Sequence, residues 1–340
     1  MVRDPRSIYL LSSERSGSNL LRHRLCQYAD NMCSVPPAHI LRTLGYWEPL
    51  MGSFSNNDKW HKTIKYALRC CYERAVPWEI EFTSEYISKI YTDYYGDNRT
   101  IVRLTDVLYR EYAAQKGFSG YFCKEICLFD FAESIAHQLP HVRFIHLYRD
   151  PRDYVLSQQT RPFGNQSALD LANLWLKECN SCLKATNSPI VWDRSFSLSY
   201  EQFLQQEGLM LKKIVNNFGM DSQDTTDKTK QDIPEYNFHE LKNVHRPTIK
   251  TNFKKYQNVM NKCEIRMVES VCWNTMRFLG YSTEYQQRPS IVWSDKYLYQ
   301  FIKYIKTMLR NKINRFKLRN EPINRRSTQV LVAELTKNYR

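Results

Sequence analysis

No part of the chain approaches the roughly 18 consecutive apolar residues of a membrane-spanning helix. Its opening MVRDPRS passes straight into a strand-like run, without the apolar core of a secretory leader. A cytoplasmic protein is therefore the expectation. Internal repeats are absent. Ten cysteines are present, but metal-ligand spacing is lacking: Cys179 and Cys182 have no second pair and no histidine cluster, and they fall in a helical stretch. That excludes a zinc module and leaves a reduced, partly buried set of thiols. Acidic residues are in deficit, 35 against 49 basic ones, for a net charge of +14. Much of the excess sits between Lys303 and Arg326, so the charge points to an anionic partner without choosing among nucleic acid, membrane surface, nucleotide phosphate and acidic glycan.

What is present suits one large globular unit. Of the 340 residues 42% are apolar and 25% charged, enough for a substantial core. Ile8–Ser12 (IYLLS), Tyr121–Lys124 (YFCK), Val142–Tyr148 (VRFIHLY) and Ser197–Tyr200 (SLSY) read as strands. Helical spacing follows at 19–28, 131–138, 153–159, 167–186, 201–218 and 264–279, the last ended by Gly280. This alternation predicts an α/β fold, a central parallel β-sheet flanked by helices. The division expected is a main domain over 1–290, interrupted by a helical insertion at 42–118, and a basic helical extension over 291–340. In such sheets ligands bind beyond the carboxyl ends of the strands.

Two strand–helix junctions carry the chemistry. The first, Ser12-Ser13-Glu14-Arg15-Ser16-Gly17-Ser18-Asn19, opens a helix. Unpaired amides and the positive end of a helix dipole, a glycine for close backbone approach, serine hydroxyls and a guanidinium suit a tetrahedral oxyanion. The nucleotide-triphosphate loop GxxxxGK[ST] is missing, which counts against a phosphotransferase. The second junction is YRDPRDYVLS, with Arg149 at a strand end and Ser157 eight residues on. Asp150, Arg152 and Asp153 read as helix-start charges in a local ion network, and Trp175 and His146 as core.

As an ordered pair the two junctions resemble those of the sulfotransferases that use 3′-phosphoadenosine-5′-phosphosulfate (PAPS). The resemblance covers about residues 7–282. It implies a P-loop-like sulfotransferase architecture in which Ser13, Arg15, Ser16, Gly17, Ser18 and Asn19 hold the 5′-phosphosulfate, with Arg15 where lysine is common. It assigns Arg149 and Ser157 to the 3′-phosphate, places Tyr200 of LSYEQF near the adenine, and maps Arg246 of RPTIKTNFK onto a second 3′-phosphate contact, although both glycines of that motif are missing. The family often has a histidine two residues after a strand-end lysine; here the stretch is Lys124-Glu125-Ile126. Lys124 keeps the lysine position, Arg15 would steady the transferring group, and His39 and then Glu125 are the substitute bases.

The reaction implied is metal-independent in-line transfer of a sulfuryl group from PAPS to a hydroxyl acceptor, a small molecule, carbohydrate or glycolipid, leaving 3′-phosphoadenosine-5′-phosphate (PAP). Nucleic acid is not expected as a partner; peripheral membrane contact through the basic C-terminal helix is. The alternatives are a P-loop phosphotransferase and a non-enzymatic anion or membrane binder built on the same fold.

Overall fold

The computed structural model describes residues 7–74, 76–161, 166–222 and 247–291. In chain order these form β1 (Ser7–Ser12), α1 (Ser18–Tyr28), β2 (Met32–Cys33), α2 (Ile40–Leu44), α3 (Glu48–Met51), α4 (Asn57–Tyr72), α5 (Ser84–Tyr95) and α6 (Ile101–Gln115). They continue with β3 (Gly120–Cys123), α7 (Ala132–Gln138), β4 (Val142–Tyr148), α8 (Pro151–Gln159), α9 (Ala168–Thr186) and α10 (Pro189–Trp192). The remainder is β5 (Ser195–Ser199), α11 (Tyr200–Gln205), α12 (Glu207–Asn217), α13 (Tyr256–Val259) and α14 (Lys262–Phe278). Arg246 and the basic extension beyond 291 lie outside the described residues.

The five strands pair in the order β2-β3-β1-β4-β5, every pair parallel. Strand β1 is central, with β3 on one side and β4 on the other, so the sheet has its topological switch there. A crevice opens at such a switch, beyond the carboxyl ends of the strands. The continuous apolar reading of β1 is explained by burial on both faces. Tyr9 and Leu11 enter the core shared with α4 and α6, while Ile8 and Leu10 enter the core shared with α1 and α12. Removing each such side chain from water contributes about 1.5–3 kcal/mol. A third cluster, with Tyr154, Trp175, Val268 and Cys272, welds α8, α9 and α14 together.

The expected α/β sheet is therefore present, with local differences. Strand β2 is only two residues long, too short to leave a periodic signal. The helix expected at 201–218 is two helices, because Gln206 leaves helical geometry at φ −132°, ψ 42°. Tyr200, read as a strand end, instead opens α11, where Ser199 and Gln202 form a reciprocal capping box. All ten cysteines are free thiols.

Candidate active site at the carboxyl edge of the sheet

Gly17 stands at the N-cap of α1 in a left-handed conformation, φ 87°, and Arg15 is also left-handed at φ 64°. These two reversals wrap the loop around the helix start. A Cβ on Gly17 would lie 2.2 Å from the Tyr200 ring, so nothing larger than glycine fits between loop and ring. The first turn of α1 has neither an acidic residue nor a side-chain cap. By contrast α4, α5, α6, α8, α9 and α14 are all capped by a side chain of their own. The positive end of α1 thus meets no acidic residue of its own first turn and no side-chain cap.

The second junction meets the first directly. Arg15 Nε donates to Ser157 Oγ at 3.2 Å, and Arg149 Nη1 donates to the carbonyl of Arg15 at 2.9 Å. The Arg149 guanidinium lies 4.8 Å from the centre of the Tyr200 ring, and its backbone carbonyl accepts from Trp175 Nε1 at 3.1 Å. Arg149 is 8% exposed, and its Nε is buried without a hydrogen-bond partner. A buried cationic donor left open is what an anionic ligand would satisfy.

Together they line a cavity of about 560 Å³. Of the residues singled out from the sequence, Arg15, Gly17, Ser18, Asn19, Lys124, Arg149, Ser157 and Tyr200 border it. Ser13 and Ser16 do not. Ser13 is buried behind the loop, hydrogen-bonded to Glu178, whose carboxyl burial and the nearby Glu14 push up to about 7. Ser16 is buried with its hydroxyl unpartnered. Lys124 is half-buried, and burial first and the Arg22 charge second bring its ammonium down to about 8.

The two substitute bases are not at the cavity wall. Glu125 accepts from the amides of Ile40 (2.9 Å) and Leu41 (3.0 Å) and from the Tyr109 hydroxyl (3.0 Å). Both carboxylate oxygens are engaged in holding α2 against the sheet. His39 accepts the amide of Ile126 on Nδ1 at 3.2 Å, so its neutral ring carries the proton on Nε2 and has no lone pair free there. Burial and the charges of Arg74, Lys124 and Arg42 hold the ring below the usual histidine range.

Sequence reasoning missed Glu14, Arg161, Thr248, Asn252 and Lys255, all of which line the cavity. Glu14 pairs with Arg161 at 2.8 Å. The stretch 247–256 crosses the cavity and is pinned by Asp153. Its carboxylate accepts the amides of Lys254 (2.6 Å) and Tyr256 (3.0 Å), while Asn252 Nδ2 donates to the Tyr200 hydroxyl at 2.8 Å. Asp153 read as a helix-start charge; only contacts a hundred residues apart in the chain reveal its second task. Arg152, by contrast, does form the expected ion network, with Asp150 (2.6 Å) and Glu269 (2.7 Å). Among the described residues no group of His, Cys, Asp and Glu is placed to hold a metal ion, and no helix is long and apolar enough to cross a membrane.

The central strand of a parallel sheet thus ends in a turn whose helix start has no side-chain cap, and an arginine from the neighbouring strand closes on that turn. The model of the sulfotransferase family matches residues 5–224, more than half of the chain. The chain belongs to the sulfotransferase family. No curated protein matches it. Among solved structures it is similar to the sulfotransferase domain from the curacin biosynthetic pathway, at 16% identity over 82% of this chain and 99% of that one, with a TM-score of 0.50. It also matches the sulfotransferase domain of the Synechococcus PCC 7002 olefin synthase, at 20% identity over 78% of this chain and 94% of that one (TM-score 0.45). A third is sulfotransferase STF9 from Mycobacterium avium, at 13% identity over 83% of this chain and 78% of that one (TM-score 0.44). At 16% identity the first likeness speaks for the fold.

Proposed function

We propose that the protein transfers a sulfuryl group from PAPS to an acceptor hydroxyl. The observation that supports this reading is the meeting of the two strand ends: the Arg15–Ser157 and Arg149–Arg15 hydrogen bonds join the turn before α1 and the buried Arg149 at a single cavity. PAPS carries an anion at each end of a ribose. The amides of Gly17–Asn19 and Arg15 would take the 5′-phosphosulfate. Arg149 and Ser157 would take the 3′-phosphate, and the Tyr200 ring, beside Gly17, would border the nucleoside.

Catalysis on this reading is positioning and charge stabilisation. The acceptor oxygen attacks sulfur as the bond from sulfur to the bridging phosphate oxygen breaks, and PAP departs. Lys124 and Arg15 stabilise the charge gathering on the bridging oxygen. Glu14 is the carboxylate that lines the cavity without being committed to backbone amides, and it is assigned the acceptor proton. Glu14→Gln should then lower kcat while leaving the Kd for PAP within about twofold, since a neutral amide keeps the shape but not the basicity.

The test of the whole reading is a thermal-shift titration with PAP followed by transfer from labelled PAPS across acceptor classes. PAP at 100 times its Kd should stabilise the fold by roughly 2.7 kcal/mol, and transfer should persist in EDTA. Absence of PAP binding, or transfer abolished by chelation and restored by magnesium, contradicts the reading.

A further inference from the structure

The strap over the cavity has no ladder to hold it. From Pro247 to Lys255 the chain forms neither helix nor strand, and Ile249, Lys250, Thr251, Lys254 and Lys255 are exposed. Lys254 is left-handed at φ 56°, a backbone that persists in an L residue only where its surroundings impose it. The surroundings here are one side chain. Asp153 is 1% exposed and spends both carboxylate oxygens on the strap, one on the Lys254 amide (2.6 Å) and one on the Tyr256 amide (3.0 Å). The two gripped amides flank Lys255, which borders the cavity.

The ends of the strap are moored to the body of the fold. Thr248 donates its hydroxyl to Glu207 at the start of α12. The buried Tyr256 ring lies 4.1 Å from the Arg152 guanidinium, and its hydroxyl donates to Glu284 at 3.1 Å. Between these moorings Asn252 Nδ2 donates to the Tyr200 hydroxyl at 2.8 Å, and Phe253 packs on the core beneath α1 and α12. The Tyr200 ring is thus set from three directions: Gly17 of the turn, the Arg149 guanidinium at 4.8 Å, and Asn252 of the strap.

We propose that Asp153 is a positioning residue for the donor: by gripping the amides on either side of Lys255 it holds the strap across the cavity, with Asn252 on Tyr200, in the place a bound nucleotide needs. This rests on the PAPS reading and deepens it. A strap held in its bound position before the ligand arrives spares the ordering cost of binding, which appears as affinity. The sign of the effect separates this role from simple electrostatics. The Asp153 carboxylate borders the cavity, and a negative charge there opposes an anionic ligand. On charge alone, removing it tightens the binding of PAP; on the positioning role, removing it weakens that binding.

The test is calorimetric titration of the full chain with PAP and with AMP, for the wild type, Asp153→Asn and Asn252→Ala, with a denaturant titration of each. Asparagine keeps the shape and one acceptor oxygen but turns an NH2 group toward the second amide. Asp153→Asn should therefore weaken PAP by about tenfold, the scale of one lost hydrogen bond, despite the removal of a negative charge. Asn252→Ala leaves Asp153 and both amides intact and acts only through Tyr200. It should weaken PAP and AMP by the same factor, about threefold, with little change in stability. Folded Asp153→Asn that binds PAP as tightly as the wild type, or more tightly, overturns the inference and reduces Asp153 to a structural contact. If Asp153→Asn does not fold, Asn252→Ala decides: unchanged affinity for both nucleotides overturns it as well. A wild type that does not bind PAP at all overturns the donor reading instead.

Discussion

The two sides of Lys124 are built differently. On the side of the turn before α1, residues far apart in sequence meet: Arg15 on Ser157, Arg149 on the Arg15 carbonyl, Tyr200 against Gly17, all of them bordering one cavity. On the insertion side, residues of equal chemical promise are spent on structure. Glu125 is a cap for α2 and His39 is a latch on the Ile126 amide. A titratable side chain near an active site is thus not evidence of catalysis until its hydrogen bonds have been counted.

The contrast breaks most sharply with Arg149→Ala. Losing a buried cationic donor that also stacks on Tyr200 should weaken PAP binding by about 100-fold, in line with the 1.5–3 kcal/mol of a charged hydrogen bond, as measured by calorimetry. Glu125→Ala should do the reverse. It orphans two amides and a hydroxyl, which costs about 1–3 kcal/mol or more of stability in a denaturant titration, while the folded fraction binds PAP as before. If PAP affinity fell with Glu125→Ala and stability did not, the two sides would have to be exchanged.

Lys124 supplies a pH test. Burial brings its ammonium down to about 8, so the charged form is complete below that pH and is lost above it. On this account kcat/KM declines as pH rises through about 8. Bound donor, being anionic, favours the ammonium, so the limb in kcat should lie at higher pH than the limb in kcat/KM. A flat profile from pH 7 to 10 would remove Lys124 from the charge-stabilising role. The smallest effect is expected of His39→Asn. Asparagine tolerates the left-handed backbone at φ 55° and can still accept the Ile126 amide, so turnover should stay within about threefold, as for a residue outside the chemistry. Near-complete loss of turnover would restore His39 as the base.

What could be read from the chain follows the same division. The loop SSERSGSNLL and the run YRDPRDYVLS are local strand–turn–helix units, and a parallel sheet with its switch at β1 places both at one edge. Their residues were therefore legible before any contact was known. The strap at 247–256 was not. Asn252 and Lys255 reach the cavity only because Asp153 grips two amides across the fold, and no spacing in the sequence reports such a grip. Nor could the sequence tell that the carboxylate of Glu125 is consumed by α2, since that depends on where a five-residue helix begins in space.

The central claim is that one nucleotide is gripped at both ends. It is tested most directly by measuring the dissociation constants of PAP and of AMP, which lacks the 3′-phosphate, for the wild type and for Arg149→Ala. The account predicts that the wild type prefers PAP strongly and that Arg149→Ala loses most of that preference while binding AMP almost as before. Equal affinity of the wild type for the two nucleotides would contradict it.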